Sequence, residues 1–147
     1  MTGLRRRPLA VIVVAQLFGT SLWFSINGVW FSLAGELGLG ESDLGRLTLS
    51  VQAGFIVGTL VLATTGLADR FSASRIFATA SLLGALTNAG FIRTAAHAPW
   101  DGLRRFLTGL CLAGIYPLGM KMVIAWTPAH AGAALAWLVG MLTLGTA

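Results

Sequence analysis

Five long runs of this chain contain no Asp, Glu, Lys or Arg: residues 8–35, 47–68, 76–92, 106–120 and 122–147. A helix needs about 20 apolar residues to cross the hydrocarbon core of a bilayer, and these runs reach or approach that length. In lipid the backbone must satisfy its own hydrogen bonds, which leaves helices or closed barrels. None of the runs alternates with period two, so helices follow. Composition bears on the same point: 56% of residues are hydrophobic and 10% are charged, against about 25% charged in a soluble domain. A water-soluble fold of 147 residues cannot hide so much apolar surface. The sequence therefore reads as an all-α membrane protein, a polytopic helix bundle embedded in a lipid bilayer.

Charge positions divide it further. Helices are expected at about 9–33, 45–67, 74–95, 101–125 and 131–147, the last still apolar where the chain stops. That ending is expected of the N-terminal part of a longer protein. Short links make successive helices antiparallel neighbours. Ser42 or Asp43 is placed to cap the second helix and Ser72 the third. Arg5, Arg6 and Arg7 precede the first run, which puts the N-terminus in the cytoplasm and the turn at 66–75 on the same side. Arg46, Arg93, Arg104 and Arg105 fall toward the other side. The first run is too long for a signal peptide and lacks a small-residue cleavage pattern.

Several functions are excluded. The net charge of +5 reflects few acids rather than a basic face, so no nucleic-acid partner is expected. Cys111 is the only cysteine, and His97 and His130 stand alone near prolines, so neither a disulfide nor a metal site is expected. Glu36, Glu41, Asp43, Asp69 and Asp101 all sit at helix ends or in loops. With no paired carboxylates and no Ser/His/Asp set, the chain is not expected to be an enzyme or to need a cofactor.

The candidate functional residues lie inside the spans. Gln16, Thr20, Trp23, Asn27 and Trp30 are spaced +4, +3, +4, +3 and share one helical face. Gln16 and Asn27 either line a solute path or bond between helices; Trp30 suits an interfacial belt. Gly54 and Gly58 have the spacing that lets helices approach closely, with Ser50 a turn earlier and Gln52 near a cavity face. Ser81, Gly84 and Asn88 read as packing with one hydrogen bond. The fourth span holds Arg105, Gly109, Gly114, Tyr116, Pro117, Gly119 and Lys121. Pro117 removes a backbone hydrogen bond and is expected to kink this helix. Lys121 either snorkels to the interface or draws an anionic solute; Arg105 is either an interfacial anchor or a buried charge.

The turn between the second and third spans reads Gly66-Leu67-Ala68-Asp69-Arg70-Phe71-Ser72-Ala73-Ser74-Arg75. It resembles the loop motif Gly-x-Leu-Ala-Asp-Arg-x-Gly-Arg-Arg of the major facilitator superfamily. Leu67, Ala68, Asp69 and Arg70 match in order. Thr65 stands at the first glycine with Gly66 beside it, Ser72 replaces the second, Ala73 and Ser74 replace the basic pair, and Arg75 falls one place late. Arg105-Phe106-Leu107-Thr108-Gly109 resembles the family's Arg-x-x-Gln-Gly pattern with Thr for Gln. The resemblance implies the first four to five transmembrane helices of a twelve-helix secondary transporter in a bacterial inner membrane. It implies a small-molecule solute, anionic if Lys121 meets it, carried by alternating access through a cavity with Gln16, Asn27 and Tyr116 among its candidate lining residues. It also implies a gating role for Gly66, Leu67, Asp69, Arg70 and Arg75, with Asp69 clasping helices beyond residue 147. Two other readings stay open: a small self-dimerising exporter, and a non-transporting assembly or sensor subunit. Small exporters of that kind carry a Glu in the first helix, and here no acid precedes Glu36.

Overall fold

The computed structural model describes residues 6–94 and 100–144, and among them there is no strand. The elements are α1 (Arg6–Phe24), a 3-10 turn (Asn27–Val29), α2 (Trp30–Leu37), α3 (Glu41–Thr65), α4 (Leu67–Arg70), α5 (Ala73–Thr94), α6 (Trp100–Trp126), a second 3-10 turn (Pro128–His130) and α7 (Ala131–Leu144). His97 lies outside the described residues. By length and composition α3 and α6 can each cross a membrane, and Leu9–Phe24 is a shorter apolar stretch. That is two full-length spans among the described residues, where the sequence reading expects five.

The first difference is a break. The single helix expected over 9–33 stops at Phe24 and resumes at Trp30. Two causes act together. Asn27 and Gly28 are poor helix formers. The carbonyls of Leu22 and Trp23, which a continuing helix would give to backbone N–H groups, accept instead from the Arg105 guanidinium at 3.2 and 2.8 Å.

The second difference is at the start of α3, which begins at Glu41 rather than near 45. Gly38 closes α2 in the left-handed region, φ 66°, where a side chain would be strained. Leu39 N–H then reaches back to the Ala34 carbonyl at 3.1 Å. Gly40 is the N-cap, and Asp43 acts from the third helical position, accepting the Gly40 N–H at 3.0 Å.

The third concerns the charged turn. Gly66 ends α3 with φ 64°, and Leu67–Arg70 then wind one helical turn of their own. Arg70 N–H donates to the Gly66 carbonyl at 3.2 Å.

At the centre of the molecule is α6, against which α1, α3, α5 and α7 all pack. Its seam with α3 is made of backbone. A Cβ on Gly54 would strike the Phe106 carbonyl, one on Gly109 the Val51 carbonyl, and one on Gly58 would come within 3.0 Å of the Leu110 carbonyl oxygen. Only glycine permits that approach. Helix α6 runs on through Pro117 without a break in its assignment, and the Ala113 carbonyl lacks its usual N–H donor there. Val51, Phe77, Ala80, Leu112 and Ile115 form the middle of the core. Ile26, Trp30, Leu47 and Phe91 fill one end, and Val123, Ala134 and Leu138 the other.

Candidate functional site

Two charged positions, four turns apart on α6, have opposite surroundings. Arg105 lies in the first turns and is 2% exposed. Beyond the two α1 carbonyls, its guanidinium donates to Ser25 Oγ and to Asn88 Oδ1, each at 3.4 Å. Ser25, the residue after α1, also donates to Asn88 Oδ1 at 2.9 Å, so the end of the first helix and α6 meet on one amide oxygen of α5. The end of α1 supplies the negative pole of the helix dipole, which suits a cation there. One turn away, Asp101 is 2% exposed and accepts from Arg46 of α3 at 3.1 Å. Arg46 also bridges Asp43 at 3.3 Å. Thr108, fully buried, shares a 3.1 Å hydrogen bond with Thr87 of α5. Of the two readings open for Arg105, the structure has the buried charge, acting as a strut for the broken first helix.

Lys121 sits near the other end and is half exposed. Its Nζ donates to Asp69 Oδ1 at 2.9 Å and to the Ala68 carbonyl at 3.1 Å. It therefore ties α6 to the single turn α4. The hydrogen bond from Lys121, and secondly its charge, hold the Asp69 carboxyl below its ordinary value. Solvent reaches both partners, with side-chain exposures of 52% and 82%, and screens the pair. Behind it lies a pocket of about 230 Å³ lined by Thr59, Gly66, Asp69, Ala113 and Pro117. Thr59 Oγ1 is buried there without a hydrogen-bond partner.

Between the two stations, Gln16 is 1% exposed and both amide atoms lack a partner. Gly119 makes room for it: a Cβ at that position would collide with Gln16 Oε1. Thr20 is buried one turn on and turns its hydroxyl back to the Gln16 carbonyl at 2.8 Å.

The other expected positions scatter. Trp23 is half-buried and packs on Phe55 of α3, ring centres 4.8 Å apart. Asn27 is exposed in the 3-10 turn, so the break removes it from the Gln16 face. Trp30 is buried with Ile26, Leu47 and Phe91 rather than standing at a surface belt. Gln52 is exposed. Tyr116 is half-buried against the Val123, Ala134 and Leu138 cluster. Gly109 belongs to the α3 seam and Pro117 to the pocket behind Asp69. Leu67 is half-buried, while Arg70 and Arg75 are exposed and form no ion pair among the described residues. Reading the sequence missed Arg46, Asp101 and Ser25. Asp101 pairs with Arg46, 55 residues back, and no spacing within its own helix signals that partner.

The chain is similar to the niacin transporter NiaP of Acinetobacter baylyi, 37% identical over 81 residues. The match covers 54% of this chain and 18% of that protein, so the chain spans under a fifth of the curated relative's length. No family model matches the chain, and no solved structure does. At this level the molecule is a helical chain, with two helices able to cross a membrane, that is similar to part of a transporter.

Proposed function

We propose that these helices are the N-terminal membrane bundle of a secondary transporter of the facilitator type, and that its solute is a small carboxylate. One observation carries the membrane part: polarity is inside out. Phe18, Ile56, Leu60, Leu83, Leu86 and Trp137 stand on the outside, while Gln16, Thr20, Asp101, Arg105 and Thr108 are buried. Water would penalise that exterior; lipid matches it. The likeness to a niacin transporter and the motif at 66–75 support transport, and niacin is itself a small aromatic carboxylate.

In this reading Gln16 is the solute-handling residue. A buried amide with no partner costs free energy, about 1–3 kcal/mol, unless something else bonds to it. Its N–H groups suit a carboxylate oxygen. The Asp69–Lys121 pair acts as a latch at the cytoplasmic end, closed here and weak enough to open.

The test is uptake of labelled niacin and related small carboxylates by cells making the full-length gene product. Uptake above the empty-vector level is expected, with Gln16→Ala reducing it roughly tenfold. Uptake indistinguishable from the vector for every carboxylate tried would sink the solute assignment. Release of the protein by carbonate washing would sink the membrane placement as well.

A further inference from the structure

A second concave feature lies away from the polar stations. Helices α3 and α5 both pack on α6. The crevice between them has a volume of about 280 Å³ and is lined by Gly58, Val61, Ile76, Thr79, Ala80 and Leu83, among others. Cys111 and Gly114 of α6 also line it. Val61 and Leu83 are 46% and 55% exposed, so the crevice opens on the apolar exterior. In the membrane placement proposed above, that exterior faces lipid.

Charge identifies the other end of the occupant. Ile76, Thr79, Ala80 and Leu83 recur at helical spacing along the first turns of α5, and Arg75 lies one turn before Thr79 on that face. Arg70 belongs to the preceding turn. Asp69 lies beside it, but its charge is already matched by Lys121. Arg70 and Arg75 are thus exposed cations with no ion pair among the described residues. Phe71, between them, is 55% exposed.

An apolar slot with Arg75 one turn before its Thr79 lining, and Arg70 in the turn that leads into the same helix, fits an amphiphile with an anionic head. We propose that the α3/α5/α6 crevice binds an anionic phospholipid, its acyl chain in the slot and its phosphate held by Arg70 and Arg75. Guanidinium groups suit phosphate because they present paired N–H donors to its oxygens. A shallow slot with small residues such as Gly58, Ala80 and Gly114 accepts a flexible chain without rearranging the core. The site rests on the membrane placement proposed above and not on transport.

The experiment uses the full-length protein in nanodiscs of phosphatidylcholine mixed with phosphatidylglycerol. Lipids retained on release are identified by native mass spectrometry. Phosphatidylglycerol is expected to be enriched over its share of the mixture. Arg70→Ala/Arg75→Ala should lower that enrichment roughly tenfold or more, and Arg70→Lys/Arg75→Lys, which keeps the charge, should retain most of it. Thr79→Phe, which fills the slot, should lose the lipid with both arginines in place. Equal retention of the two lipids, or enrichment that survives the double alanine or the Thr79→Phe change, overturns the proposal. So does a Cys111–Cys111 disulfide between copies under mild oxidation, which would mean that a second chain fills the crevice. A chain that enters the nanodiscs and shows no lipid preference defeats this site alone; one that enters none defeats the membrane placement too.

Discussion

The two ends of α6 hold their charges in opposite ways. At the Arg105 end, charge is buried, shared among several partners and drawn from α1, α3, α5 and α6 together. At the Lys121 end one exposed lysine joins α6 to a four-residue turn, through an ion pair and a carbonyl hydrogen bond. Burial makes each interaction at the first end expensive to lose, because an orphaned polar group keeps its desolvation cost. Exposure makes the second cheap to break, because water and salt replace it. One end of the bundle is held strongly, the other weakly.

The contrast is most easily broken at Arg105. Replacing it by Ala takes the Arg105 donor from the Trp23 carbonyl and leaves only the Ser25 hydroxyl for the Leu22 carbonyl and the Asn88 oxygen, and about 3 kcal/mol of stability should go with it. Thermal unfolding of the full-length protein in detergent measures this. An unchanged Tm would mean that the strut carries no load. Gly109→Ala comes next. Its methyl group meets the Val51 backbone, which cannot rotate aside, and a loss of about 2 kcal/mol is expected in the same assay. Asp101→Asn keeps a hydrogen-bond acceptor for Arg46 but removes the charge, and about 1 kcal/mol should be lost. A larger loss than at Arg105 would reverse the ranking of the buried groups.

The smallest stability effect is expected at the exposed end. Asp69→Asn should leave Tm unchanged while raising the rate at which an amine-reactive reagent labels Lys121. In the native protein the sign with pH is set by the depressed Asp69 carboxyl. The pair is fully present above the ordinary value of 3.8 and fades as pH falls through the lowered one. Lys121 labelling should also rise with salt, through screening. A marked Tm loss in Asp69→Asn would show that the two ends are more alike than their exposures imply.

How much of this was legible follows from range along the chain. The helical character and the long apolar stretches of α3 and α6 come from local composition, and the sequence carries them. The glycine spacing in α3 announced a close approach, though not that its partner is the backbone of α6. The break in the first helix was hidden because half its cause lies about 80 residues away, in Arg105. Spacing along an unbroken helix put Asn27 beside Gln16, and the break undid that. In sequence Lys121 has two readings, interface or solute, and neither includes an acid 52 residues back. Asp101 looked like an end-of-helix residue because nothing local shows that Arg46 folds over it. What was missed is in each case a pairing between helices, which no single-helix pattern contains.

The seam between α3 and α6 has a mechanical consequence. Carbonyls rest against glycines with no side chain between them, so no rotamer change can absorb a small displacement. The two helices form one stiff beam, anchored at the Arg105 end and pinned lightly at the Lys121 end. A tilt of one therefore carries the other with it, and the chain departs from long helix at the 3-10 turn Asn27–Val29 and at Gly66.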